Sequence, residues 1–293
     1  MTSPQNDSPT RALVLGGGGA VGVGWQTGLL TGLREAGVDL AGAEAIVGTS
    51  AGALVGALLA SGRAATDALT SLAALGRCID PDSLAAGDEA FQSAMRRARL
   101  EADPRQALRT IGRAAQEAST PAEDVYLGLF GTLDSITWPA GFGCTAVDTD
   151  SGDLAVWDQG SGVPLRHAVA SSCAIPMLFP TVTIKGRSYM DGGLLSHLNV
   201  TAAPPTDVLV VLSCHPLGSK GAGGGGSLAA SVTPHAELAP LRQTRRLVAI
   251  EPDFSDIEAP TNMMDPNLAI QALQIGKRQA EREAAAIQAA WNS

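Results

Sequence analysis

The chain has 293 residues, of which 45% are hydrophobic and 17% are charged, a composition that excludes disorder as its main state and provides enough apolar side chains for a sizeable core. Its formal net charge is −9, and its 20 lysines and arginines are scattered, which argues against nucleic acid as a partner and against a polybasic lipid-binding patch. No apolar run approaches the roughly 20 residues that span a bilayer, and residues 1–10 lack the features of a secretory signal, so we expect a cytoplasmic protein. Any contact with a membrane surface would have to be apolar and transient.

The first 62 residues predict alternating strands and helices. An apolar run at 11–15 ends in four consecutive glycines and is followed by apolar residues at helical spacing up to Gly37. A second strand is predicted at 45–48, and a second helix continues from residue 51 to Gly62. This β-α-β-α order predicts an α/β fold with a mostly parallel sheet.

The rest of the chain predicts a helical segment and then further strands. Residues 66–133 are richer in charge and have apolar positions at helical spacing, so we expect a helical cover over one end of the sheet. The later elements are predicted as hairpins at 143–157 and 182–190, strands at 208–213 and 247–250, and a long helix over 267–291.

These elements predict one domain over residues 11–293. Residues 1–10 are expected to be a disordered tail, and the glycine-rich stretch 217–231 is expected to be a flexible loop within the domain. The four cysteines form no CxxC pair, and no histidine lies at zinc-ligand spacing from them. We therefore expect reduced thiols, and neither a metal site nor a cofactor.

A candidate nucleophile follows the second predicted strand. The sequence GTSAG at 48–52 fits the pattern Gly-x-Ser-x-Gly, in which Gly48 and Gly52 permit the tight turn that exposes the hydroxyl of Ser50. The pattern alone is weak, because an ordinary tight turn between a strand and a helix satisfies it too. Its position between a predicted strand and a predicted helix favours the nucleophile.

The glycines after the first strand admit three interpretations. Gly17, Gly19 and Gly22 match the dinucleotide fingerprint G-x-G-x-x-G, but the second predicted strand ends without the carboxylate that holds a ribose. Alternatively, the amides of Gly17, Gly18 and Gly19 form an oxyanion hole. The third interpretation is a purely structural turn, in which consecutive glycines carry a large entropic cost.

A serine nucleophile needs a base. Asp191 ends a predicted strand and is followed by two glycines that leave its carboxylate uncrowded. The order of an α/β-hydrolase is also satisfied by Ser50, Asp191 and either His215 or His235, but only about two strands are predicted before Ser50, fewer than that fold has.

Four segments together resemble the patatin-like phospholipase family: LGGGGAVG at 15–22, GTSAG at 48–52, ASSCAIPMLFP at 170–180 and DGG at 191–193. The resemblance covers about residues 11–215. It implies a three-layer α/β/α fold and hydrolysis of lipid acyl esters by a serine–aspartate dyad without histidine. Carried over to this chain, it implies Ser50 as nucleophile, Asp191 as base, the amides of Gly17, Gly18 and Gly19 as oxyanion hole, and supporting glycines at Gly22, Gly48, Gly52, Gly192 and Gly193.

Two departures from that family's pattern are visible. Val21 stands where the glycine loop of the family usually has arginine or lysine, and residues 196–199 read SHLN where relatives tend to have Asn-Asn-Leu-Pro. The first departure motivates a second hypothesis, a lipid-binding or regulatory protein that keeps the fold without turnover. A dinucleotide-binding α/β protein is the third. On the main hypothesis the partner is a lipid or ester substrate.

Overall fold

The computed structural model describes residues 9–78, 81–218, 233–254 and 262–292. Most of the predicted tail at 1–10 and most of the predicted loop at 217–231 lie outside the described residues. Within the described residues, eight strands form one sheet: β1 (Arg11–Leu15), β2 (Ala45–Thr49), β3 (Phe142–Asp148), β4 (Leu154–Asp158), β5 (Val182–Ile184), β6 (Arg187–Asp191), β7 (Val208–Leu212) and β8 (Arg246–Ile250).

The helices of the same described part of the chain flank this sheet. They are α1 (Gly19–Glu35), α2 (Ala51–Ala60), α3 (Asp67–Cys78), α4 (Pro81–Ala98), α5 (Pro104–Glu117), α6 (Glu123–Gly128), α7 (Leu165–Ser172), α8 (Pro234–Leu238) and α9 (Pro266–Trp291). Among them, none combines the length and the apolar character that crossing a bilayer requires.

The sheet is mixed and mostly parallel. Its order is β5-β6-β3-β2-β1-β7-β8, with β4 also paired to β3. The pairs β1–β2, β1–β7, β2–β3 and β7–β8 are parallel, whereas β3–β4, β3–β6 and β5–β6 are antiparallel. The predicted α/β fold is therefore confirmed, and the two predicted hairpins are the antiparallel part of the sheet.

The two faces of the sheet are buried under different layers. Leu13 of β1 belongs to the core that is shared with α1, α2, α7 and α9. Its neighbour Ala12 points to the opposite face. The core on that face includes Leu238 of α8 and Leu198, which lies in the segment between β6 and β7. This alternation follows from the two-residue period of a strand, and it gives the three-layer arrangement.

Glycines let the first and last helices approach each other closely. A Cβ added at Gly24 would lie 2.0 Å from the carbonyl oxygen of Ala269, and one at Gly28 would lie 2.0 Å from that of Leu273. Both distances are far below van der Waals contact, so only glycine permits α1 and α9 to pack backbone against backbone. This packing holds the middle of α1, the helix that follows the consecutive glycines at 16–19, against α9.

Helices α3 to α6 occupy the stretch where the helical cover is predicted, residues 66–133. Met95 of α4 and Leu108 and Ile111 of α5 share a core with Val147 of β3 and Met190 of β6. These two helices thus cover the antiparallel part of the sheet, next to the strand that ends at Asp191.

Candidate active site

Ser50 occupies a sharp turn between β2 and α2. Its backbone has φ 54° and ψ −118°, an unfavourable conformation for a residue with a side chain, and one that is typical of a serine nucleophile at a strand-to-helix turn. Glycine is required on both sides of Ser50, because neither position has room for a side chain. A Cβ at Gly48 would lie 2.3 Å from the carbonyl oxygen of Gly52, and a Cβ at Gly52 would lie 2.1 Å from that of Leu15.

The structure brings Ser50 and Asp191 into direct contact. The Ser50 hydroxyl donates a hydrogen bond of 2.6 Å to Oδ2 of Asp191, while Oδ1 accepts a hydrogen bond of 2.7 Å from the amide of Gly193. Both residues are almost fully buried, with exposed fractions of 7% for Ser50 and 5% for Asp191. The carboxylate is therefore held in one orientation, with one oxygen on the serine.

Burial changes the acidity of this carboxyl group. Desolvation raises the pKa of Asp191 to about 7, against the opposing effect of the hydrogen bonds from Ser50 and Gly193. An aspartate with an ordinary pKa is a weak base, and a raised pKa near neutrality makes it a more effective one. The group is thus suited to accept a proton from Ser50 near neutral pH.

The predicted oxyanion donors are not equivalent. The amide of Gly17, one of the three predicted donors, donates a hydrogen bond of 2.8 Å to the carbonyl oxygen of His197 in this arrangement. Within the described residues, no such bond uses the amides of Gly18 or Gly19. Gly18 is the N-cap of α1 and Gly19 is its first residue, positions whose N–H groups have no partner within the helix, and both line the same cavity as Ser50.

The other glycines that the resemblance assigns to the site lie where a side chain would collide with a neighbouring segment. A Cβ at Gly22 would lie 2.9 Å from Sγ of Cys214, and a Cβ at Gly192 would lie 2.6 Å from the carbonyl oxygen of Thr145. A Cβ at Gly193 would lie 3.0 Å from the Asp191 carboxylate. The supporting glycines therefore make room for the close approach of neighbouring segments to the site.

Val21 is fully buried in the core, and its amide donates a hydrogen bond of 3.0 Å to the carbonyl oxygen of Met263. Its side chain is part of the hydrophobic core on the α1 face of the sheet. The position thus contributes packing and supplies no charge to the site.

Two cavities open at Ser50. The first cavity has a volume of about 510 Å³ including its mouth and is lined mainly by apolar and aromatic side chains, among them Leu54, Leu72, Tyr126, Phe130, Phe179 and Met264. The second cavity has a volume of about 590 Å³ including its mouth and contains, besides apolar residues, Asp191, His197, His215 and the glycine loop. Since Ser50 lines both, an ester at its hydroxyl has separate spaces for its two halves.

The histidines do not form a relay with the serine. The rings of His197 and His215 pack at 4.1 Å between centroids, and both line the second cavity. Burial lowers the pKa of His215 to about 3, so this ring is uncharged at neutral pH. His235 is an exposed residue of α8. Since the Ser50 hydroxyl is bonded directly to Asp191, the arrangement does not fit the α/β-hydrolase alternative.

One residue that the sequence analysis did not assign, Asn199, lies beneath the site. Its Nδ2 lies 3.1 Å from Oγ1 of Thr49 and 3.2 Å from Oγ1 of Thr145, and these two hydroxyls are 2.8 Å apart. The same amide nitrogen lies 3.2 Å from the carbonyl oxygen of Gly192. Asn199 thus joins the end of β2 and the middle of β3 to the turn after Asp191. The sequence feature that could have drawn attention to Asn199 is the departure from the family's pattern at residues 196–199, where asparagine stands in place of proline.

In the described part of the chain, no group of three histidine, cysteine, aspartate or glutamate side chains is arranged to hold a metal ion. The cysteines whose side chains the structure describes, Cys144, Cys173 and Cys214, are free thiols.

The model of the family described as "Patatin-like phospholipase" matches residues 13–204. No curated protein sequence matches the chain significantly.

Similar solved structures include VipD and ExoU. VipD from Legionella pneumophila is 15% identical, with a TM-score of 0.48, and the match covers 98% of this chain and 72% of that chain. The type III effector ExoU is 18% identical, with a TM-score of 0.37, over 93% of this chain and 54% of that chain. ExoU in its complex with SpcU from Pseudomonas aeruginosa is 18% identical, with a TM-score of 0.42, and the match covers 98% of this chain and 53% of that chain. The chain therefore spans about half the length of ExoU.

Proposed function

The chain belongs to the patatin-like phospholipase family, a family of lipid acyl hydrolases, and on that premise we propose that it cleaves carboxylic ester bonds of lipids through a Ser50–Asp191 dyad. The observation that carries the proposal is the 2.6 Å hydrogen bond from the Ser50 hydroxyl to the buried Asp191 carboxylate. A strained backbone at Ser50 and the junction of two cavities at its hydroxyl support it.

In the acylation step, Asp191 accepts the hydroxyl proton as Oγ of Ser50 attacks the ester carbonyl carbon. The carbonyl oxygen becomes an oxyanion, which the amides of Gly18 and Gly19 stabilise, each donor contributing about 3 kcal/mol to the transition state. The bond to the alcohol oxygen then breaks, and the alcohol leaves with the proton that Asp191 holds. The acyl chain stays on Ser50 and occupies the first cavity.

In deacylation, water takes the place of Ser50 as the nucleophile, and Ser50 becomes the leaving group. A water molecule gives a proton to Asp191 and attacks the acyl-serine carbonyl, and the same two amides stabilise the second oxyanion. When the bond to Oγ breaks, the proton returns from Asp191 to Ser50, and the carboxylic acid leaves. One carboxylate thus serves as base and then as acid in both steps.

The other hypotheses gain less support. A dinucleotide needs a carboxylate for its ribose at the end of the second strand, and β2 ends in Thr49 followed by Ser50. A lipid-binding protein without turnover was motivated by Val21, but this residue is a buried packing residue outside the residues that line the two cavities.

The test is hydrolysis of a panel of aryl and lipid esters by the parent protein, by Ser50→Ala and by Asp191→Asn. The proposal predicts release of the carboxylic acid by the parent and a rate near the uncatalysed background for Ser50→Ala. Equal rates in the parent and Ser50→Ala would overturn it, and binding of the lipids without release of acid would favour the lipid-binding hypothesis.

A further inference from the structure

The second cavity is suited to the alcohol half of the ester, an assignment that rests on the proposed function. The first cavity is lined mainly by apolar and aromatic side chains, which match an acyl chain, since a hydrocarbon offers no hydrogen bonds. The second cavity is also mainly apolar, with Phe91, Pro176 and Leu194 in its lining, but it adds the carboxyl group of Asp191 and two imidazole rings. An alcohol that bears further hydroxyls needs such partners.

The electrostatics of the second cavity disfavour an anion. Among the described residues that line it, there is no lysine and no arginine. Its ionisable side chains are Asp191, His197 and His215. Burial lowers the pKa of His215 to about 3, so that ring carries no charge at neutral pH, whereas Asp191, with a pKa raised to about 7, is partly ionised there.

A phosphate group in this cavity would therefore lose its hydration without gaining a lysine or arginine partner from the described lining, and it would meet the carboxylate that must ionise for the reaction. In a glycerophospholipid the phosphate and the ester are attached to the same three-carbon glycerol unit. If the glycerol lies in the second cavity, the phosphate must lie there too. In an acylglycerol the same position carries a neutral hydroxyl, for which imidazole nitrogens and peptide groups are adequate partners.

We propose that the second cavity binds an uncharged, hydroxyl-bearing alcohol, so that this chain prefers neutral esters of the acylglycerol class over phosphate-bearing lipids. The specificity comes from the absence of cationic side chains in the described lining and from the proximity of Asp191 to the departing alcohol.

The test compares three substrates with the same lauroyl chain, presented in the same uncharged detergent micelles: 1-lauroylglycerol, lauroyl lysophosphatidylcholine and lauroyl lysophosphatidylglycerol. We expect kcat/KM for 1-lauroylglycerol to exceed both other values by roughly tenfold or more. Equal values, or a higher value for either phosphate-bearing lipid, would overturn the proposal.

A matched pair of variants tests the electrostatic cause. Phe91 of α4 is partly buried and lines the second cavity, so Phe91→Lys adds a cation there and Phe91→Gln is its neutral control. The ratio of kcat/KM for lauroyl lysophosphatidylglycerol to that for 1-lauroylglycerol is expected to be about fivefold higher in Phe91→Lys than in Phe91→Gln. An unchanged ratio would contradict the electrostatic explanation.

A further substrate separates failure of this inference from failure of the proposed function. Para-nitrophenyl laurate has an activated, uncharged leaving group and requires only the dyad and the first cavity. If the parent cleaves it in a manner that depends on Ser50 but shows no preference for 1-lauroylglycerol, the inference fails and the proposed function stands. If the parent cleaves none of the esters, both fail.

Discussion

The hydroxyl of Ser50 lies 2.6 Å from a carboxylate oxygen of Asp191, although 141 positions of the chain separate them. Strand β3 explains the distance. Its residue Thr145 pairs with Thr49, directly before Ser50, and its next residue, Ala146, pairs with Asp191. The two residues of the site therefore lie on either side of one central strand, and the pairing of that strand in parallel with β2 and antiparallel with β6 fixes their separation.

The pH dependence of the reaction follows from the acidity of Asp191. Its pKa is raised to about 7, and the proposed mechanism needs the ionised form. We expect kcat/KM for an uncharged aryl ester to rise about tenfold per pH unit below 7 and to level off above it. Initial rates between pH 5 and pH 9 measure this. A profile that is flat between pH 5 and pH 8 would contradict the assignment of Asp191 as the base.

The same carboxyl group makes folding stability depend on pH. Its pKa is about 7 in the folded protein and has an ordinary value of 3.8, so the unfolded chain releases this proton first. The contribution of Asp191 to stability is therefore lost progressively as pH rises from about 4 through 7.

Asp191→Asn removes this loss. At pH 8 the variant is expected to be more stable than the parent by on the order of 2 kcal/mol, with a smaller difference at pH 5. Urea unfolding at both pH values measures it. If the parent is the more stable protein at pH 8, the carboxylate is not the destabilising buried charge described above.

The turn at Ser50 depends on glycine at a specific position. A Cβ at Gly52 would lie 2.1 Å from the carbonyl oxygen of Leu15, so Gly52→Ala is expected to destabilise the fold by more than about 2 kcal/mol. Gly128, an exposed residue at the end of α6, has no atom within 4 Å of such a Cβ. Gly128→Ala serves as the control, and its melting temperature should equal or exceed that of the parent. Similar melting temperatures for the two variants would disprove the steric argument.

Asn199 is a positioning residue in this account. Asn199→Ala removes the donor near the carbonyl oxygens of Gly192 and Ser196, which lie 3.2 Å and 2.7 Å from Nδ2. We expect a loss of about 1–3 kcal/mol in stability and a decrease in kcat with little change in KM, because the side chain holds the turn after Asp191 and lies outside the residues that line the cavities.

Two further variants sharpen that test. Asn199 has φ 49°, which proline cannot adopt, so Asn199→Pro is expected to destabilise more than Asn199→Ala. Asn292→Ala, at an exposed position after α9, is the control and should leave kcat unchanged. An increase in KM with unchanged kcat in Asn199→Ala would show instead that the residue acts in substrate binding.

The sequence predicts the local parts of the site well. Ser50 sits in a turn whose glycines are visible as a pattern, and Asp191 ends a strand that has a clear hydrophobic signal. The hairpins β3–β4 and β5–β6 were predictable for the same reason, because neighbouring strands joined by short turns need only local information.

Long-range hydrogen bonds were not predictable. The carbonyl oxygen of His197 accepts a hydrogen bond from the amide of Gly17, and no residue near Gly17 in the sequence indicates this bond. It is the reason why the proposed oxyanion hole uses the amides of Gly18 and Gly19. The Asn199 contacts also join segments that are far apart in the chain. The close packing of α1 on α9 at Gly24 and Gly28 was likewise not predicted, because a four-residue spacing of glycines does not identify the helix that packs there.

The central claim is that Asp191 activates Ser50 as a nucleophile. The most direct measurement is the rate of covalent labelling by a fluorophosphonate, with the adduct located by mass spectrometry. We expect an adduct on Ser50 in the parent, no labelling of Ser50→Ala, and labelling of Asp191→Asn that is slower by roughly 100-fold or more. Ser171→Ala is the control and should be labelled normally. It removes a buried hydroxyl that donates to Ala168 and accepts from Trp157, and it lies outside the residues that line the two cavities. Labelling that persists in Ser50→Ala, or that proceeds at the parent rate in Asp191→Asn, would contradict it.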